Sequence, residues 1–265
     1  MIIAIDGPAG AGKSTTARGV AQRLGFAYID TGAMYRAVAL AASEVDLQIG
    51  RDDEGIVEMA RSLPLSLSEC GSRIFIGERD VSDLIRTSKV GALTSSLSTL
   101  PALREIIVAQ QRRLAMEGME RCGGAVLEGR DIQTVVFPDA QVKIFLSAAS
   151  QTRAARRLDQ WTQSNQPEPS AQPEPDEAKL DEAQRDISER DERDSTREIS
   201  PLKAAPDAVH IATDSLSPDE VIERIAQIAN AQIANAQIAQ EKSDSATSSQ
   251  RGDFYEARYD KGRLT

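Results

Sequence analysis

The sequence predicts an α/β fold, a parallel sheet covered on both faces by helices, on three observations. Aromatic residues are only 4% of the chain while aliphatic residues are plentiful, which suits helices packed on a sheet of Val, Ile and Leu. Three short apolar runs, Ile2 to Ile5, Ala125 to Leu127 and Val142 to Leu146, read as strands buried on both sides. Segments with apolar residues at helical spacing alternate with them, and 265 residues are enough to bury a full core.

The first run stops at Asp6-Gly7-Pro8, a strand meeting a turn. The next segment, Lys13 to Leu24, places Ala17, Val20, Ala21 and Leu24 on one helical stripe, and Gly25 stands where a C-terminal cap belongs. A second helix is predicted from Thr31 to Val45. Beyond it, Leu63 to Ser68 and Arg73 to Ile76 alternate like short antiparallel strands, an insertion on the main sheet. Helices resume near Thr87, with Leu103, Ile106, Ile107 and Leu114 at helical spacing, and a last strand is predicted near Ala208 to Ile211.

Between the strand at Val142 and this last strand lies an Arg-rich stretch. It is split by Gln166-Pro167-Glu168-Pro169-Ser170-Ala171-Gln172-Pro173-Glu174-Pro175, which cannot be helix interior and is expected to be a mobile hairpin tip. Near the end, Asn230-Ala231-Gln232-Ile233-Ala234 recurs as Asn235-Ala236-Gln237-Ile238-Ala239, too short a unit for a solenoid and read as an extension of the last helix. After Glu241 apolar residues thin out, and disorder is expected to Thr265.

A formal net charge of −10 argues against binding to DNA or RNA, whose affinity for proteins comes mainly from Lys and Arg on phosphates. Cys70 and Cys122 form no CxxC pair, so neither a disulfide framework nor a zinc site is expected. The first residues lack the basic lead and length of a signal peptide, and no apolar run approaches the roughly 20 residues of a membrane span. A soluble, cytoplasmic protein, a monomer without membrane or nucleic-acid partners, is the expectation.

Gly7-Pro8-Ala9-Gly10-Ala11-Gly12-Lys13-Ser14 satisfies GxxxxGK[ST] between a predicted strand and a predicted helix, the context that makes the motif specific. Glycines let the backbone wrap phosphate oxygens, and the helix N-terminus adds positive potential. Lys13 reaches the outer phosphates, and Ser14 can hold Mg2+. A dinucleotide fingerprint would need glycine where Thr15 stands. The loop says nucleotide but not reaction. No Asn-Lys-x-Asp segment reads guanine, and the strand at Ala125 to Leu127 runs into Glu128-Gly129-Arg130-Asp131, an arginine beside a carboxylate that suits a second anion. Two nucleotides brought together need further cations. Arg190, Asp194 and Arg197 fall at i, i+4 and i+7, and Arg153 and Arg157 at i and i+4, faces that a closing lid would carry.

Three segments carry a specific resemblance: Ile29-Asp30-Thr31-Gly32-Ala33-Met34-Tyr35-Arg36; Glu128-Gly129-Arg130-Asp131 followed by Val135-Val136-Phe137-Pro138-Asp139-Ala140; and Arg190-Asp191-Glu192-Arg193-Asp194-Ser195-Thr196-Arg197. In these the chain resembles the bacterial cytidylate kinases over about residues 1 to 227. The resemblance implies a P-loop sheet core (1–30, 105–150 and 205–229), a monophosphate-binding insertion at about 31–104 and a helical lid at about 151–200, with 230–265 outside the kinase domain. It implies Mg2+-dependent transfer from ATP to CMP or dCMP. Gly7, Pro8, Ala9, Gly10, Ala11, Gly12, Lys13, Ser14, Thr15 and Arg157 would bind ATP. Thr31, Arg36, Ser95, Arg104, Arg130, Asp131, Arg190, Asp194 and Arg197 would bind CMP, and Lys13, Arg36, Arg130 and Arg197 would serve the transfer.

Within that set Arg36, Arg130 and Arg197 would take the acceptor phosphate, Arg190 and Asp194 the ribose, and Asp131, Ser95 and Arg104 the base. Gln133 departs from the family pattern, which has glycine there, and raises the question of altered backbone angles. Two other readings stay open, a P-loop kinase with a different small acceptor and a silent nucleotide-binding module. His210, the one histidine, is read as packing in the last strand, and Trp161 as helix packing.

Overall fold

The computed structural model describes residues 1–68, 71–164, 177–197 and 199–259. The chain opens with β1 (Ile2–Asp6), α1 (Lys13–Leu24), β2 (Ala27–Asp30) and α2 (Thr31–Glu44). The insertion holds α3 (Asp53–Ser62), β3 (Leu65–Leu67), β4 (Ile74–Ile76), β5 (Arg79–Asp80) and α4 (Ser88–Leu97). The long α5 (Pro101–Cys122) leads back to β6 (Ala125–Gly129), a π-helical turn at Ile132–Val136, and β7 (Val142–Ser147). Then follow α6 (Ser150–Ser164), α7 (Glu177–Thr196), β8 (Val209–Ala212) and α8 (Pro218–Tyr259).

The central sheet has the order β2-β6-β1-β7-β8, and every pairing in it is parallel. All five residues of β1 are buried, as its unbroken apolar run requires for a strand with a neighbour on each side and helices above and below. The chain leaves β1 toward β2 on one flank and leaves β7 toward β8 on the other. The crevice beyond the C-terminal ends of β1 and β7 is therefore the switch point where ligands sit in such sheets.

The insertion does not make a core of its own. Ile56, Leu65, Ile74, Val81, Ile85, Val90 and Leu97 belong to one apolar cluster with Ile29, Met34, Leu103, Ile107 and Leu127. Its small sheet, β3-β4-β5, is antiparallel, with Leu65 opposite Ile76 and Leu67 opposite Ile74. Ala154, Ala183 and Ile187 form a separate small cluster between α6 and α7, against which Ala9 of the glycine loop packs. The chain divides into two compact units, Met1–Ala226 and Gln227–Thr265, and the sheet, the insertion and helices α6 and α7 all belong to the first. Among the described residues no helix is long and apolar enough to cross a membrane.

Several elements differ from the expectations. The helix α3 was not foreseen, because only Ile56 and Ala60 are buried in it, too thin a stripe to register as a period. The acidic start at Asp52, Asp53 and Glu54 was the available signal. The last helix runs to Tyr259 rather than ending near Glu241, with no proline to stop it although Ser, Asp, Thr and Gly are frequent beyond that point. His210 is exposed, not buried in a core, although its ring packs on Phe145 with centroids 5.4 Å apart. The side chain of Trp161 and the Pro-Glu-rich tip at 166–175 lie outside the described residues.

Gln133 answers the question its departure raised. It is not among the residues with positive φ, so nothing in its backbone calls for glycine. Its buried side chain is used instead: Oε1 accepts from Ala205 N at 3.1 Å and Nε2 donates to Ile144 O at 3.4 Å, joining β7 to the segment that leads into β8. Its own N–H and that of Ile132 donate to Asp6 at 2.9 and 3.1 Å, which fixes the turn carrying Arg130 and Asp131 to the end of β1. Truncating this side chain, Gln133→Ala, strands the buried Ala205 N–H and is expected to lower the unfolding free energy by about 1–3 kcal/mol. Urea denaturation measures it.

Candidate active site

A cavity of about 230 Å³ opens at the switch point, bounded by the glycine loop, the starts of α1 and α2, the turn after β6, and faces of α4, α5 and α7. One side is the glycine loop itself. Gly7 has φ 153°, and a Cβ there would meet Leu146 O at 2.2 Å, so only glycine lets the loop leave β1 this close to β7. Gly12, at φ 88°, caps α1 with no side-chain hydrogen bond, leaving the first N–H groups of the helix for a ligand. The ammonium of Lys13 donates to Pro8 O at 2.7 Å, folding the lysine over the loop. Burial pushes it well below the usual lysine range, and the nearby Arg130 and Arg190 push it further.

Behind the loop, Glu128 ends β6 as a buried carboxylate. Ser14 Oγ donates to its Oε2 at 2.8 Å and Tyr28 Oη to its Oε1 at 2.5 Å. Burial raises Glu128 above the ordinary carboxylate range, with Asp30 adding to the rise and Lys13 opposing it. Asp6 is pushed up to about 6, chiefly by burial. Ser14 and Glu128 are hard oxygen donors in contact with one another beside the loop, a donor set that fits Mg2+.

The opposite side is built from guanidinium groups, most of them held by carboxylates. Asp30 caps α2 by accepting from Ala33 N at 2.8 Å and takes Arg36 Nη2 at 2.9 Å with its other oxygen. Arg36 Nε is buried with no hydrogen-bond partner among the described residues. The carboxylate of Asp194 in α7 bridges two arginines: Arg130 Nε at 2.7 Å and, through its second oxygen, Arg197. Arg104, buried in α5, pairs with Asp131 and also donates to Ser98 O at 3.3 Å. Arg157 lies 3.8 Å from Asp186. Arg190 has no ion-pair partner among the described residues. Burial lowers it to about 9, with Arg130, Arg36 and Arg157 adding repulsion, and burial with Arg104 lowers Arg197 to about 10.

The sum of these groups is positive. Lys13, Arg36, Arg104, Arg130, Arg157, Arg190 and Arg197 face Asp30, Glu128, Asp131, Asp186 and Asp194, seven cations to five carboxylates, in a chain whose formal net charge is −10. Cations crowded where water is scarce repel one another and draw in a polyanion.

Most of the residues singled out from the sequence meet here: Ala9, Gly10, Gly12, Lys13, Ser14, Thr15 and Arg157 on one side, and Thr31, Arg36, Ser95, Arg104, Arg130, Asp131, Arg190, Asp194 and Arg197 on the other. Three do not line the cavity. Gly7 backs onto β7, Pro8 offers its carbonyl to Lys13, and Ala11 is fully buried. The hydroxyl of Thr31, though beside the cavity, is spent on Glu128 O at 2.6 Å. Arg153 belongs to the contact of α6 and α7 with the glycine loop: it pairs with Asp191 and donates to Ala9 O at 3.0 Å, while Asp191 accepts from Ala9 N at 3.0 Å. Sequence reasoning missed Tyr28, Asp30 and Asp186 and gave Glu128 no role. A carboxylate closing an apolar strand run was the signal for Glu128.

The family model described as cytidylate kinase matches residues 3–231. The chain belongs to that family. It is 45% identical to a cytidylate kinase of Geobacillus kaustophilus and 41% identical to one of Carboxydothermus hydrogenoformans, each match covering 86% of this chain and 96% of the relative. It is also 45% identical to a bifunctional pantoate ligase/cytidylate kinase of Trichormus variabilis over 84% of this chain, and spans 40% of that longer protein.

The Asp194 bridge makes a checkable claim. With Asp194→Asn, Arg130 and Arg197 face each other without a shared carboxylate, and the unfolding free energy is expected to fall by about 3 kcal/mol. Inorganic pyrophosphate should stabilise this variant more than the parent; thermal unfolding with and without it provides the readout.

Proposed function

We propose that this chain transfers the γ-phosphoryl group of ATP to CMP or dCMP, giving ADP and CDP or dCDP. The observation that carries the reading is the single cavity in which an uncapped helix N-terminus with its glycine loop faces an excess of buried guanidinium groups. Family membership supports it.

The donor triphosphate lies on the loop amides with Lys13 on its outer phosphates and Arg157 from the lid beside it. Ser14 and Glu128 would hold Mg2+, which supplies charge neutralisation on the phosphates. Arg36, Arg130, Arg190 and Arg197 hold the acceptor phosphate and ribose. An oxygen of that phosphate, already ionised, attacks the γ-phosphorus in line as the bond to the β-bridging oxygen breaks, so no general base is required. Catalysis then rests on positioning and on cations fixed before the substrates arrive.

The base is read by Asp131, Arg104 and Ser95. Cytosine offers an exocyclic amine to the Asp131 carboxylate, which Arg104 holds in place. Uracil would set an oxygen against that carboxylate and leave buried groups unpaired. The reading takes the chain as a monomer working in the cytoplasm on these small substrates.

An ADP-release assay over a panel of monophosphates tests the reading. The wild type is expected to use CMP and dCMP with UMP far behind. Asp131→Ala should cut CMP turnover by about a hundredfold or more and narrow the gap to UMP. Turnover of AMP or a non-nucleotide acceptor in place of CMP would overturn the base assignment.

A further inference from the structure

Tyr28 is buried in β2 and does not line the cavity, yet its hydroxyl ends on a residue that does. In the parallel pairing of β2 with β6, Asp30 lies opposite Glu128 and Tyr28 opposite Val126. Residues two apart along a strand share a face, so Tyr28 and Glu128 stand diagonally on one face of the sheet. The phenol is long enough to close that diagonal, and its Oη donates to Glu128 Oε1 at 2.5 Å. Its ring is held firmly, 2% exposed in the core, with the guanidinium of Arg18 5.5 Å from its centroid.

Glu128 is thereby gripped at both oxygens, Oε1 by Tyr28 and Oε2 by Ser14 Oγ at 2.8 Å, which fixes the plane of its carboxylate. The same grip settles the serine. A hydroxyl has a single hydrogen, and once that hydrogen points at Glu128 both lone pairs of Ser14 Oγ are left for a ligand. A Ser14 hydroxyl with its hydrogen turned the other way would oppose a cation instead of binding it. The carboxylate accepts from both hydroxyls, so an oriented Glu128 makes an oriented Ser14.

We propose that Tyr28 is a positioning residue for the divalent cation that accompanies the nucleotide: its hydroxyl holds the Glu128 carboxylate where it takes the Ser14 hydrogen and leaves the Ser14 lone pairs for the cation. The proposal rests on the reading of Ser14 and Glu128 as the Mg2+ donors and adds to it a residue behind the cavity wall. Partners of this kind set metal affinity without touching the metal, and their loss costs about 10–100-fold.

Calorimetry with β,γ-methylene-ATP, which cannot pass on its terminal group, tests this in EDTA and in excess Mg2+. Four full-length proteins are compared: wild type, Tyr28→Phe, Glu128→Ala and Tyr28→Phe/Glu128→Ala. The quantity read is the gain in nucleotide affinity that Mg2+ confers. Tyr28→Phe keeps the ring in the core and beside Arg18 and removes only the hydroxyl. Its affinity in EDTA is expected to match wild type, while the gain from Mg2+ falls about tenfold. In the Glu128→Ala background the same change should leave the gain where Glu128→Ala alone puts it. The proposal is overturned if Tyr28→Phe leaves the gain intact, or weakens binding equally with and without Mg2+, the mark of a merely structural role. It is equally overturned if the gain falls as much without Glu128 as with it. A wild type that gains nothing from Mg2+ would bring down the cation assignment and the proposal together. A wild type that shows the gain but ignores CMP would bring down the proposed reaction alone, since the comparison of gains still decides the role of Tyr28. Tyr28→Leu, which also lacks the hydroxyl, carries the same expectation should circular dichroism show Tyr28→Phe misfolded.

Discussion

The site depends on carboxylates that hold guanidinium groups in place away from bulk water. Asp30 positions Arg36, Asp131 positions Arg104, and Asp194 positions Arg130 and Arg197 together. Left alone, four or five arginines around one cavity would swing toward solvent, because like charges at such separations in a low-dielectric setting repel by several kcal/mol. The carboxylates lower that cost without neutralising the cavity, whose lining keeps more cations than anions. The orienting work is thus done in the folding of the chain, and little rearrangement is left for the arrival of substrate.

The same carboxylates explain why distant segments of the chain must meet. Asp6 at the end of β1 fixes the turn after β6, Glu128 at the end of β6 gathers Ser14 from α1 and Tyr28 from β2, and Asp194 brings α7 to Arg130. A parallel sheet places the C-terminal ends of its strands along one edge, so polar residues that end apolar runs converge without any long-range signal in the sequence. That geometry made the P-loop, Arg130 and Asp131 legible from their positions at strand ends. The partners were harder to read. Asp30 and Asp186 sit in helical or helix-capping positions where a carboxylate is common for local reasons, and Tyr28 looks like any aromatic in a buried strand.

Legibility of the fold followed the strength of the apolar period. Strands β1, β6 and β7 and helix α1 declare themselves by continuous or striped apolar residues, whereas α3 buries only Ile56 and Ala60 and β5 has two residues. The insertion was read as an addition to the sheet, and in sequence it looks like one. In space its apolar residues complete the core over Ile29 and Leu127, which a scan of local periodicity cannot reveal because the contacts are far apart along the chain. Gln133 shows the converse: a residue that breaks a family pattern yet fits, since its amide takes up hydrogen bonds to Ile144 and Ala205 that bind neighbouring strands.

Helix α7 carries Asp191 to the glycine loop and Asp194, about one turn on, to Arg130 in the turn after β6. Because both grips ride on one helix, a shift of α7 moves the holds on both halves of the crevice together.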